Sequence, residues 1–168
     1  MSSSSGPSNW WSPSNTLLLG LCLLVSHAAG GIGLLVSPAP GEWYRSLVQP
    51  PGTPPGYVFG LVWPVLYTLI GIALFVFLRE ASGELRRAGL KAFGTQWFLN
   101  ALWTPLFFGW QKPVWAVVDL IALLVALGWT VRRFRQASRW AGYLLVPYFL
   151  WSLYATYLNA GFVVLNAL

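Results

Sequence analysis

Asp119 is a lone carboxylate inside a long apolar run of this 168-residue sequence, and the patterned side chains around that run are indoles, phenols and amides. Gln96, Asn100 and Trp103 follow i, i+4, i+7 spacing, and Trp115, Asp119 and Ala122 do the same. Trp63 and Tyr67 stand one helical turn apart, while Tyr148, Trp151, Ala155 and Leu158 share a stripe. Rings offer flat faces for stacking and buried indole N–H groups want acceptors, so the chemistry on offer is non-covalent capture of a flat aromatic molecule. Ordinary hydrolytic catalysis needs an acid/base pair, and Asp119 has no second titrating group placed beside it. With one cysteine, Cys22, and one histidine, His27, a disulfide framework, a zinc site and a Cys/His pair are also excluded.

The elements that position these residues must be membrane helices. Hydrophobic residues make up 57% of the chain and charged residues 8%, against about 25% charged in soluble domains. A bilayer core of about 30 Å needs roughly 20 apolar residues as helix, because every backbone polar group must be satisfied within the segment. Five stretches qualify, at about 16–36, 57–78, 90–110, 113–131 and 141–165, the third with a weaker, polar-tinged pattern. The fold class expected is therefore all-α, an integral membrane bundle of five transmembrane helices in one domain over 16–168. Pro113 suits a helix start, whereas Pro64, Pro105 and Pro147 fall inside spans and should kink them. Residues 1–15, MSSSSGPSNWWSPSN, cannot bury a core and read as a disordered tail with Trp10 and Trp11 at the interface. That opening has no Lys or Arg, so the first span reads as retained rather than as a signal peptide.

Charge fixes the orientation. The N-terminus, the 79–91 loop and the 132–140 loop share one side and carry Arg79, Arg86, Arg87, Lys91, Arg132, Arg133, Arg135 and Arg139; the other side has Arg45 and Lys112. The positive-inside rule then puts the N-terminus in the cytoplasm. On this reading the net charge of +6 is a topology signal and does not imply a nucleic-acid partner. No internal repeat is visible, so a transporter built by duplication is not supported.

Depth narrows the site. Trp63, Trp103 and Asp119 each lie six residues in from a span end on the side of the 37–56 loop, about 9 Å deep. They imply a pocket in that half of the bundle, walled by rings, with one carboxylate and two amides, under a Pro/Gly-rich lid. Each residue also has a structural alternative. Trp43, Trp110, Trp115, Trp129 and Trp140 fall near span ends, where interfacial belts enrich Trp. Gln96 and Asn100 could be hydrogen-bonding glue between helices, and Asp119 could answer the field of its own helix. His27 should bond a carbonyl in the bundle, Cys22 should be inert, and Ala28, Ala29, Gly30, Gly31 and Gly33 allow close helix approach.

Five segments in order, WYRSLVQPPGTPP (43–55), VWPVLYTLIG (62–71), QWFLNALWTPLFFG (96–109), WAVVD (115–119) and PYFLWSLYATYLN (147–159), resemble the translocator protein family, also called tryptophan-rich sensory proteins or peripheral benzodiazepine receptors. The resemblance implies a five-helix membrane protein, commonly a homodimer, that binds porphyrins such as protoporphyrin IX, sterols and synthetic aromatic ligands under the first loop, with no cofactor required. By motif position it places pocket residues at Trp63, Asn100, Trp103, Trp115, Asp119, Tyr148, Trp151, Ala155 and Leu158, with Tyr44, Pro54 and Pro55 in the lid. Two departures stand out. The family's sterol motif is unmatched, since Ala160 and Gly161 replace its tyrosines and no basic residue follows Arg139; the lid has Gln49, Gly52 and Thr53 where many relatives carry basic and aromatic residues.

The expectation is a membrane-embedded binding protein for tetrapyrroles and other hydrophobic aromatic ligands, acting in transport or sensing. One alternative is light- or oxygen-dependent porphyrin breakdown assisted by Trp63 and Trp151, as the resemblance suggests; another is a structural or regulatory membrane partner. A bacterial cytoplasmic membrane is favoured, with bacterial or mitochondrial outer membranes as the other settings.

Overall fold

The computed structural model describes residues 12–36 and 41–167, and every regular element among them is helical. Trp10, Trp11 and most of the expected tail lie outside the described residues. Helix α1 spans Pro13–Val36 and so takes in the last three residues assigned to that tail. The reason is local: Ser12 Oγ accepts from the Asn15 N–H at 3.3 Å, an N-cap contact, and Pro13 sits at the first helical position, where its missing N–H costs nothing.

The lid follows, carrying the short helix α2 (Glu42–Ser46) and running to Pro55. Helix α3 (Gly56–Glu80) continues through Pro64. Helix α4 (Gly83–Thr104) passes at Pro105 into a π-helical turn, Pro105–Gly109, in which the Trp110 N–H donates to the Pro105 carbonyl at 2.7 Å. Proline lacks the N–H of an α-helical bond, and the wider turn absorbs the defect instead of a simple kink. Helix α5 (Pro113–Ala137) starts at its proline as expected. The last span is broken rather than kinked: α6 (Arg139–Tyr143) is followed by a turn, and α7 (Val146–Leu165) restarts with Pro147 in its first turn.

Among the described residues four spans are long and apolar enough to cross a membrane: Pro13–Gly33, Gly56–Glu80, Pro113–Ala137 and Arg139–Leu165. The expected span at 90–110 is helical but does not meet that standard. Its helix opens with Glu84, Arg86, Arg87 and Lys91 and turns Gln96 and Asn100 inward, so polarity lowers its mean hydropathy.

Helix α1 packs on α3 and α4, α4 on α5, and α5 on α7, while α3 and α7 touch only lightly. At the basic end, Phe134 of α5 stacks on Phe77 of α3 with ring centres 4.1 Å apart, and Phe93 of α4 lies on its other flank at 6.2 Å. Close approach of α1 relies on glycine, since a Cβ at Gly30 would lie 2.5 Å from the Tyr67 ring; Gly33 meets Thr104 in the same way, but Gly31 meets nothing. His27 Nδ1 lies 3.0 Å from the Leu23 carbonyl oxygen of its own helix, and Cys22 is buried as a free thiol. The outward faces are apolar: Leu24, Val125 and Val164 are 70%, 72% and 78% exposed. A surface of that kind requires lipid rather than water around it.

Candidate ligand pocket and its lid

Trp63, Asn100, Trp103, Leu120, Leu123, Ser152 and Ala155 converge from α3, α4, α5 and α7 on one enclosed cavity. It has a volume of about 10 Å³, room for roughly one water. Its walls are their own filling. Trp63 stacks on Tyr67 with ring centres 5.3 Å apart and meets Tyr148 edge-on at 6.3 Å. The Tyr67 hydroxyl donates to Asn100 Oδ1 at 2.9 Å, tying α3 to α4. Trp103 lies parallel to Phe107 at 5.7 Å, and its Nε1–H donates to Asn159 Oδ1 at 3.0 Å. Asn159 Nδ2 in turn donates to the Pro113 carbonyl at 3.0 Å, so one amide joins α4, α5 and α7.

The remaining expected residues divide. Gln96 is buried on the same face of α4 as Asn100, one turn further from the lid. Tyr148 is fully buried, and its hydroxyl faces Asn100 and Ser152 without reaching hydrogen-bond geometry with either. Trp151 sits at the thin α3–α7 seam, edge-on to Phe59 at 5.8 Å, with its Nε1–H unpartnered. Leu158 is buried but does not line the cavity, and Trp115 is 64% exposed on the lipid-facing side. Asp119 is buried, yet among the described residues neither carboxylate oxygen has a hydrogen-bond partner. Donors of the pocket wall are committed elsewhere: the Trp103 indole bonds Asn159 and the Tyr67 hydroxyl bonds Asn100.

Two residues on the inward stripe of α7 escaped the sequence reading. The buried residues of α7 are Tyr148, Ser152, Leu158, Asn159 and Phe162, with the half-buried Ala155 on the same face, so Ser152 and Asn159 belong to the inward stripe and Trp151 flanks it. Both were legible by the rule that nominated Gln96, a polar residue inside an apolar span.

Three side chains of the α7 region clasp the lid through its backbone. Asn166 does so twice, its Oδ1 accepting from the Val48 N–H at 2.8 Å and its Nδ2 donating to the Val48 carbonyl at 3.0 Å. Tyr157 donates to the Pro51 carbonyl at 3.1 Å and Tyr154 to that of Gly52. Gly52 has φ +85°, a conformation favouring glycine. Gly161, at the departure from the sterol motif, lies against Pro50, where a Cβ would come within 2.7 Å. On the inner side of the lid, Tyr44 packs against Phe107, Phe108 and Phe162, and burial pushes its phenol above the ordinary range.

An all-helical membrane protein with an aromatic-walled pocket under a clasped loop is the class that this fold and this site define. The chain belongs to the TspO/MBR family, whose model matches residues 20–165. It is 36% identical over 153 residues to the tryptophan-rich protein TspO of Chlorobaculum tepidum, covering 89% of this chain and 96% of that protein. Its identity to the Archaeoglobus fulgidus protein of the same name is 39% over 155 residues, or 91% and 99% of the two chains. The human translocator protein is 34% identical over 140 residues, 82% of this chain and 79% of its own length.

Proposed function

We propose that the chain is a membrane-embedded binding protein for porphyrins and other hydrophobic aromatic ligands, acting in transport or sensing. The observation that carries this reading is the convergence of Trp63 and Trp103 on one cavity, with Tyr67 and Tyr148 packed against Trp63, in a bundle whose loop is held by hydrogen bonds. Relatives named translocator and tryptophan-rich sensory proteins support the transport-or-sensing part. Ligand sites of this kind are typically about 300–1,000 Å³, so the pocket opens by separating rings that now fill it. The seam between α3 and α7, which touch only lightly, is where those rings can part.

In this reading α4 and its π turn form the fifth span. Together they cover Gly83–Gly109 and pack between α1 and α5, and Gln96 and Asn100 are shielded from lipid by those neighbours. A cytoplasmic membrane of a bacterium, with the lid on the far side, fits the basic asymmetry. Pairing into a homodimer is proposed from the family resemblance.

Titrating detergent-solubilised protein with protoporphyrin IX, read by tryptophan quenching, tests binding; the absorbance spectrum after illumination tests breakdown. Saturable quenching with an unchanged porphyrin spectrum is expected. Absence of quenching would favour the structural-partner reading, and a bleached product spectrum would favour degradation.

A further inference from the structure

Val118, Ile121, Val125 and Trp129 form one lipid-facing stripe of α5, with Val125 72% exposed and Trp129 40%. The spacing of three and four residues continues without a break to Arg132, which is exposed at the end of the same stripe. From Ile121 to Arg132 is about 16 Å along the helix, close to one leaflet's half of a hydrocarbon core of about 30 Å. The chain then turns at Ser138 into α6, which brings Arg139 and the exposed Trp140 and Tyr143 to the same end.

The arginines here are not equivalent. Arg135 lies over the Tyr143 ring, 5.6 Å from its centre, and Arg133 donates to Gln136 Oε1 at 3.3 Å. Among the described residues, Arg132 and Arg139 have neither an ion pair nor a hydrogen bond. Segment 132–143 contains no acidic residue; of the two in the 79–91 loop, Glu84 is paired with Arg87 at 2.8 Å and Glu80 forms no ion pair with Arg132 or Arg139. The Arg132 guanidinium thus stands unmatched where a phospholipid lying along the stripe would place its phosphate, and the unmatched Arg139 opens the next helix at the same end of the bundle, with aromatic rings suited to headgroup depth.

We propose that the corner between α5 and α6 is a binding site for an anionic phospholipid, with an acyl chain along Ile121 and Val125 and the headgroup held by Arg132 and Arg139. The site is separate from the ring-walled cavity and does not depend on its ligand. It also asks more of this basic end than orientation does, since positive-inside bias requires charge but not an unpaired arginine in line with an apolar track and a second just past the turn.

The test uses the full chain in neutral detergent and pyrene-labelled lipids, read by energy transfer from tryptophan. Phosphatidylglycerol should bind more tightly than phosphatidylcholine. Arg132→Gln and Arg139→Gln should each cut that preference about fivefold, the equivalent of about 1 kcal/mol per basic residue near a charged surface. Arg87→Gln, which removes a charge of the same end already paired, should leave it unchanged. Equal affinity for both lipids would overturn the proposal, as would equal losses in all three variants, which would mean diffuse surface charge. Competition by inorganic phosphate at equal concentration would assign the arginines to a free anion and overturn it too. Each variant's melting temperature in the absence of added lipid shows that folding is retained.

Discussion

Among the described residues neither oxygen of the buried Asp119 carboxylate has a hydrogen-bond partner. Pattern and depth predicted its burial, but partners depend on rotamers and on competition, which one sequence does not display. The Trp103 indole had a nearer acceptor in Asn159. A buried carboxylate with no hydrogen bond contributes nothing to holding the lid, so Asp119→Asn should leave hydrogen exchange of residues 41–55 at the wild-type rate. Faster exchange there would show that the carboxylate reaches the loop. Tyr67 is the opposite case. Its hydroxyl satisfies Asn100, and Tyr67→Phe strands that buried acceptor at a cost of about 1–3 kcal/mol, which a lower melting temperature in detergent would reveal. An unchanged melting temperature would mean that Asn100 finds another donor. Spacing alone nominated both of these residues, whereas Ser152 and Asn159 were passed over because the stripe on α7 was drawn through Trp151 instead of one residue further on.

The clasp on the lid belongs to the scale of elements. Composition marked the loop as Pro/Gly-rich, and the resemblance placed it over the pocket; its attachment to Asn166, Tyr157 and Tyr154 joins positions more than 100 residues apart and was not legible. Asn166→Ala removes both bonds to Val48, worth about 1 kcal/mol each. Opening of residues 41–55, read by hydrogen exchange, should become roughly 10- to 30-fold more frequent while exchange within α3 and α5 stays as it was. No change would show that ring packing of Tyr44, not the clasp, holds the loop. The helices themselves were read well where apolar runs were long, with ends displaced by caps: Ser12 draws α1 earlier, Pro105 widens the end of α4, and Pro147 splits the last span. Each displacement follows from proline or cap chemistry acting at a particular position. The 90–110 helix falls short of the other spans in hydropathy because Gln96 and Asn100 are buried on its inner face and charged residues open its helix.

At the scale of the whole molecule the eight basic residues of one end against two of the other predict topology. Reporter fusions should place the C-terminus opposite the 79–91 and 132–140 loops, and a C-terminus on the side of the 79–91 loop but opposite the 132–140 loop would mean an even number of spans, the four without α4. An even number would remove α4 from the membrane and with it the convergence of four helices on the cavity. Membrane character was plain from composition, and spacing picked out Trp63, Asn100, Trp103 and Ala155 of the cavity lining but not Leu120, Leu123 or Ser152. The closure of the cavity to about 10 Å³ was not, because the sequence cannot say whether rings around a site stack on a ligand or on each other. Affinity for a porphyrin is therefore the direct test, measured by tryptophan quenching in wild type, Trp63→Ala and Trp115→Ala. Trp63 stacks inside the cavity wall and Trp115 faces lipid. Loss of one stacking face is worth about 0.5–1.5 kcal/mol, so Trp63→Ala should bind about 2- to 12-fold more weakly and Trp115→Ala as wild type does; equal losses in both variants, or no saturable binding by wild type, would contradict the account.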